Sequence, residues 1–216
     1  IFVFRRSCSH TLFSDRCTGG TISCDNSLDL TMHATAINSA PGSLNKFVEL
    51  SAYLLGWWQV HGRRDPFQKP WMFKSSGCWP ESDYQLDPYG IWIAEVMLQQ
   101  TQLAVALPYW TRWMAAFPTV DALAAASLEE VRLQWQGLGY YVRARRLHDV
   151  AQLLVCRPWP RSLEEWMALP GIGRTTAGSI LSSAFNAPLP ILDGNVKRVL
   201  ARLTAHPRPP ARDDAL

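Results

Sequence analysis

Charge is scarce in this sequence. Of its 216 residues only 18% are charged, and the net balance is +3. So small an excess is weak evidence for a nucleic-acid partner. No apolar run approaches the ~18 residues that a membrane-spanning helix needs. The opening Ile1-Phe2-Val3-Phe4 is too short for the apolar core of a signal peptide. The five cysteines, Cys8, Cys17, Cys24, Cys78 and Cys156, include no C-x-x-C pair. An odd count with irregular spacing argues against a disulfide framework and leaves a reduced, cytoplasmic setting as the expectation. A zinc site built from Cys8, Cys17, Cys24 and His10 or His33 fits the ligand spacing of zinc poorly. Met is absent from the first position, so the chain reads as a fragment. An alternating strand pattern of useful length is also missing, and the fold class that follows is all-α.

What is present is a core. Hydrophobic residues make up 48% of the chain and there are 10 tryptophans, most of which should pack inside. Residues 1–43 lack periodicity and are rich in Ser and Thr, so they read as a poorly ordered extension. Phe47, Leu50, Tyr53, Leu54 and Trp57 recur at helical spacing and predict a first helix from about Leu44 to Val60. Residues 62–87 show no period and read as a long surface loop, giving a segment of 44–87. From Pro88 onward helix follows helix. Asp87-Pro88 starts one, with the stretch Tyr89 to Leu103 buried; Pro108 opens the next, and Phe117-Pro118-Thr119 closes it. Ser127-Leu128-Glu129-Glu130 and Ser162-Leu163-Glu164-Glu165 both fit the capping box, in which a Ser hydroxyl and a Glu carboxylate satisfy free backbone N–H groups reciprocally. Between them, Val142, Leu147, Val150, Ala151 and Leu154 form one apolar face. Further helices follow Gly173 and Gly194.

Three motifs carry chemistry. In Leu169-Pro170-Gly171-Ile172-Gly173-Arg174-Thr175-Thr176, a short helix (about 162–169) leads through a tight turn into another, within a hairpin spanning 162–186. The spacing is that of a helix-hairpin-helix, whose second helix offers free N–H groups to a phosphate. An ordinary helix–helix turn would read the same way. In Leu192-Asp193-Gly194-Asn195-Val196-Lys197-Arg198-Val199, Asp193 stands just before a helix. It is an N-cap, a reacting carboxylate, or both, since a cap fixes where the carboxylate sits. Glu95 is a lone acid among Ile91, Trp92, Ile93, Val96, Met97 and Leu98, which leave little room for a solvated stripe. Burying a charge is costly, and apolar surroundings let a carboxyl hold and donate a proton near neutral pH.

Four segments together resemble the adenine DNA glycosylases of the helix-hairpin-helix superfamily. They are Glu95 to Gln102 (E-V-M-L-Q-Q-T-Q), Gly137 to Tyr141 with Arg143-Ala144-Arg145, the hairpin Leu169 to Gly178, and Leu192 to Val199 (L-D-G-N-V-K-R-V). They occur in the family's order, and the match runs from about residue 44 to the end.

The resemblance implies a six-helix barrel subdomain over 88–192 and the start of a second helical subdomain over 193–216. It implies a monomeric enzyme, cytoplasmic and of bacterial, nucleoid-associated type, that acts on double-stranded DNA and removes adenine mispaired with 8-oxoguanine or guanine, after flipping it from the stack. Glu95 would protonate the departing adenine and Asp193 would stabilise the oxocarbenium-like sugar, the two-carboxylate logic of glycoside hydrolysis. Gln100 and Tyr140 match residues that wedge into the duplex, and Asn195 matches one near the sugar. Gly171, Gly173, Arg174 and Thr175 fall where the hairpin holds phosphate. Arg143, Arg145 and Arg146 face phosphates or form a solvated helix face. Relatives of the endonuclease III type carry a lysine nucleophile where this chain has Thr175, so a monofunctional glycosylase is expected. The other readings are a pyrimidine or mismatch glycosylase and a non-catalytic helix-hairpin-helix DNA-binding module; retention of both Glu95 and Asp193 weighs against the last.

Three departures from the family stand out. Its [4Fe-4S] cluster is expected only in a full-length protein, with ligands outside this chain. The domain that helps such enzymes recognise 8-oxoguanine is likewise expected only in a full-length protein, so weaker discrimination between 8-oxoguanine and guanine is expected of this chain. Residues 66–87, and 74–86 in particular, look like an insertion. The first helix would normally pack with helices beyond Leu216, so an exposed apolar face and reduced stability are expected.

Overall fold

A computed structural model describes residues 41–207 apart from 64 and 82, with side chains from 48 onward. The described residues form nine α-helices and a 3₁₀ turn, without a strand. The helices are α1 (Pro41–His61), α2 (Pro88–Met97), α3 (Leu103–Ala116), α4 (Val120–Ala125), α5 (Leu128–Trp135), α6 (Val142–Leu154), α7 (Leu163–Met167), α8 (Arg174–Phe185) and α9 (Gly194–Leu203). The all-α expectation therefore holds. The cysteines and histidines of the doubtful zinc site, and residues 1–40 of the expected extension, lie outside the described residues. Residues 41–43, assigned to that extension from sequence, are instead the first turn of α1.

The chain divides into two compact units, with the boundary between Leu86 and Asp87. In the first, Tyr53, Leu54, Trp57 and Val60 of α1 are exposed. The stretch 62–87 is not a plain surface loop. A 3₁₀ turn (Pro70–Met72) buries Trp71, and Phe73 is buried next to it. Trp79 packs edge-on against Phe73 at 5.1 Å and against Trp58 at 5.8 Å. Lys74 pairs with Glu81 at 2.6 Å across the turn 74–78, where the Gly77 N–H donates to the Lys74 carbonyl. Aromatic burial orders this stretch without any helical period, which is why periodicity missed it.

In the second unit α2 is the central element, packed against α3, α6 and α8. α4 and α5 pack on α6, α3 on α5, and α7 on α8. Asp87 caps α2 by accepting the Tyr89 N–H at 3.0 Å, with Pro88 in the first turn where its missing N–H costs nothing. Both capping boxes form as the sequence predicts, Ser127 with Glu130 and Ser162 with Glu165. Trp92, Trp113, Trp135 and Trp166 are fully buried. The indole N–H groups of three find oxygen partners: Trp113 donates to the Tyr89 hydroxyl, Trp135 to the Gly139 carbonyl and Trp166 to the Pro160 carbonyl. Large aromatic area is thus buried without stranding a donor.

Three local expectations are corrected. The helix expected over 89–103 ends at Met97, and residues 98–100 turn away. Pro108 does not open a helix but lies inside α3, which starts at Leu103. Proline in that place leaves the Ala104 carbonyl without its helical donor; Ala104 is exposed, while burial of Ala106 and Trp113 holds the helix together. Val142, assigned to the apolar face of α6, is 52% exposed, and Arg143 and Ala144 are buried in its stead.

Candidate active site and nucleic-acid interface

Glu95 is the only charged residue of α2. Ile91, Trp92, Ile93, Ala94, Val96 and Met97 around it are each 5% exposed or less, whereas Glu95 itself is half-buried. Glu95 is thus a half-buried carboxyl on an otherwise buried, apolar helix. Asp193 is the N-cap of α9, and its Oδ1 accepts the Val196 N–H at 2.7 Å. That bond sets the direction of the carboxylate from the backbone alone. On the same first turn, exposed Asn195 accepts a hydrogen bond from the Arg198 guanidinium at 2.7 Å.

The hairpin is formed by α7 and α8. Between them Gly171 adopts φ 79°, and a Cβ there would come within 2.5 Å of the Arg146 side chain, so the turn requires glycine. Gly173 is the N-cap of α8 and, having no side chain, leaves the helix N-terminus without a side-chain cap. Arg174 and Thr175 are exposed in the first turn. Such an end, with unshared N–H groups and a positive dipole, suits an anion. The hairpin is tied to the helix of Glu95: Gln99 Nε2 donates to Thr176 Oγ1 at 3.2 Å, and α8 packs on α2.

Gln100 and Tyr140 share an unusual backbone. Both are non-glycine residues in the left-handed region, at φ 59° and φ 47°. Gln100 follows the end of α2, and Tyr140 precedes α6 in a turn where Gly137 and Gly139 also have positive φ. Both are exposed, Tyr140 at 61%.

Arg143 corrects the sequence reading most sharply. It faces neither phosphate nor solvent but is buried, 5% exposed. Its Nη1 donates to the carbonyls of Val96, Met97 and Gln99, and its Nη2 to those of Leu138 and Gly139. Both nitrogens also reach Thr101 Oγ1. Burial pushes the guanidinium pKa down from its ordinary value; the oxygens around Nη1 and Nη2 replace the lost water there, while Nε is buried without a partner. Arg145 and Arg146 are exposed, as a phosphate-facing or solvated face requires. The signal that could have singled out Arg143 is its place three residues after Tyr140, on the inward side of α6.

The part of the chain holding these groups, residues 93–215, matches the description "HhH-GPD superfamily base excision DNA repair protein". The chain belongs to this superfamily. An adenine DNA glycosylase of Buchnera aphidicola (subsp. Baizongia pistaciae) is 41% identical over 152 residues, which is 69% of this chain and 39% of that protein. The Homo sapiens adenine DNA glycosylase is 44% identical over 156 residues, 70% of this chain and 27% of that protein. The chain thus spans well under half the length of the curated relatives it matches. Among solved structures, a non-covalent endonuclease III–DNA complex aligns with TM-score 0.52 and 30% identity, covering 56% of this chain and 59% of that one. A thermostable thymine-DNA glycosylase aligns with TM-score 0.62 over 74% of this chain and 68% of that one; at 20% identity it shows the fold alone.

An iron–sulfur cluster does not fit the described residues. No three His, Cys, Asp or Glu side chains among them converge, and of the cysteines only Cys78 and Cys156 are described. No described helix is long and apolar enough to cross a membrane.

Proposed function

We propose that this chain is the catalytic helical core of a monofunctional DNA glycosylase that removes adenine mispaired with 8-oxoguanine or guanine. The observation that carries the reading is Glu95, a single half-buried carboxyl in an otherwise apolar helix that is tied to the hairpin. Likeness to adenine DNA glycosylases at 41% and 44% identity supports the choice of base.

Double-stranded DNA docks with a phosphate at the N-terminus of α8, held by the backbone of Gly171 and Gly173 and flanked by Arg174 and Thr175. Gln100 and Tyr140 enter the duplex beside the mispair, and the adenine swings out. Glu95 gives its proton to N7 of the adenine, so the base leaves neutral as the glycosidic bond breaks. Asp193 faces the positive charge that develops on the sugar, with Asn195 beside it. Glu95, now deprotonated, takes a proton from water as the water adds to the sugar carbon. Thr175 offers no amine, so the strand is not cut through a Schiff base. The [4Fe-4S] cluster belongs to the same proposal for a full-length protein, and none of these steps passes through it.

Single-turnover incubation with duplexes holding A opposite 8-oxoguanine, A opposite G, or an oxidised pyrimidine tests the reading, with strand cleavage by alkali as the readout. Adenine release that disappears in Glu95→Gln is the expected result. Release of the oxidised pyrimidine with efficient borohydride trapping would replace it by an endonuclease III-like activity. Mispair binding without release would leave a DNA-binding module.

A further inference from the structure

We propose that Arg143 is the positioning residue that sets both wedge side chains, Gln100 and Tyr140, at once; this rests on the reading above that these two enter the duplex. The two turns lie 140 − 100 = 40 residues apart in sequence, and each puts a non-glycine residue into the left-handed region. Side chains rarely adopt that conformation unless their surroundings over-determine it. Here one guanidinium does so for both.

Around Gln100, Nη1 donates to the Gln99 carbonyl at 2.6 Å, and both terminal nitrogens reach Thr101 Oγ1 at 3.3 Å. Nη1 also holds the last carbonyls of α2, Val96 at 3.1 Å and Met97 at 2.9 Å. Beside Tyr140, Nη2 donates to the Gly139 carbonyl at 3.2 Å and the Leu138 carbonyl at 3.3 Å. The guanidinium carbon lies over both rings, 5.1 Å from the Trp135 centre and 5.4 Å from that of Tyr140. Six oxygens from two separate turns therefore share one cation.

The chemistry requires arginine. A planar fork can donate in two directions and lay its face on an aromatic ring, whereas a lysine ammonium is a point charge on a flexible stem. Helix capping alone would need only the contacts to α2. The contacts to Leu138 and Gly139 serve the second turn and make the two wedges one unit. Gln99, whose carbonyl Arg143 holds, also reaches Thr176 in the hairpin, so the clamp is continuous with the phosphate end of the interface.

The test uses the whole chain and its Arg143→Lys variant. In the free protein, hydrogen–deuterium exchange is followed at residues 98–102 and 137–141. We expect both segments to exchange faster in the variant, by about 10-fold or more, the rate change that a loss of roughly 1.4 kcal/mol in local opening would produce. Peptides from α3 and α4 should be unchanged. Acceleration in one segment only, or in neither, would overturn the coupling. On DNA, 2-aminopurine opposite 8-oxoguanine reports unstacking by its fluorescence. Arg143→Lys should slow unstacking as much as the Gln100→Ala, Tyr140→Ala double variant, about 100-fold, the loss that a misplacement of roughly 1 Å produces. Adding it to that double variant should slow it no further. A further loss in the triple variant would mean that Arg143 acts elsewhere. If Arg143→Lys does not fold, Thr101→Val removes the oxygen that both nitrogens share; faster exchange at both 98–102 and 137–141 is the supporting result, and acceleration at 98–102 alone or in neither segment would overturn the proposal. Absence of any fluorescence rise in the unaltered chain would overturn the wedge reading, while the exchange result decides the clamp by itself.

Discussion

The two carboxylates sit on helices of opposite character. α2, which carries Glu95, buries eight of its ten residues and lies against three other helices. α9, which Asp193 caps, buries Ala201 alone, and its Val196, Val199 and Leu203 are exposed. Glu95 therefore owes its environment to the core: its apolar neighbours are themselves held by tertiary packing. Asp193 owes its position to a single turn of backbone, through the Val196 N–H. Under the proposed roles, the proton donor has the surroundings that a core supplies, and the charge facing a cationic sugar has the direction that a local cap provides.

The largest expected effect breaks the pair on the chemical side. Glu95→Gln should lower single-turnover adenine release by at least the 10²–10⁴-fold that a general acid typically contributes, with little change in the melting temperature. Next is the packing side. Trp92→Ala should cost about 3–5 kcal/mol in urea unfolding, while Val199→Ala on α9 should stay within about 0.5 kcal/mol; similar losses at both positions would erase the contrast between the helices. A finer comparison separates cap from charge at one residue. Asp193→Ala should cost about 1 kcal/mol, whereas Asp193→Asn keeps the cap and the stability. Both should lose adenine release, because neither carries the negative charge; an active Asp193→Asn would reduce Asp193 to a cap.

The smallest effect concerns Glu130 and Glu165, the acids of the two capping boxes. Hydrogen bonds from the Ser127 N–H lower Glu130, and those from the Arg161 and Ser162 N–H groups lower Glu165, from the ordinary value of 4.5. A carboxyl lowered on folding stabilises the protein above its unfolded pKa, and that contribution disappears as pH falls through the folded value. Melting temperatures taken from about pH 6 to about pH 3 should therefore fall more steeply in the unaltered chain than in the Glu130→Gln, Glu165→Gln variant. Parallel curves would show that burial of Val131, Trp135 and Trp166 holds α5 and α7 without help from their caps.

Much of this was legible in the sequence because it is local. Capping boxes act over three residues, a helical face repeats every three or four, and the hairpin glycine answers to one φ angle. The lone acid in an apolar run and the aspartate before a helix were visible for the same reason. Aromatic packing in 62–87 was not, since Trp58, Phe73 and Trp79 meet without a period. Nor was Pro108 within α3, where packing outweighs the missing hydrogen bond.

By itself, then, the sequence determined the helical class, the caps, the hairpin, and the placing of one carboxylate in an apolar helix and another at a helix start. Tertiary structure decided where the arginines go. Arg143 and Arg145 look alike in a string of letters, yet one is buried against oxygens 42 to 47 residues away and the other is exposed. A guanidinium goes where unshared oxygens converge, and that convergence exists only once α2 and α6 have packed together.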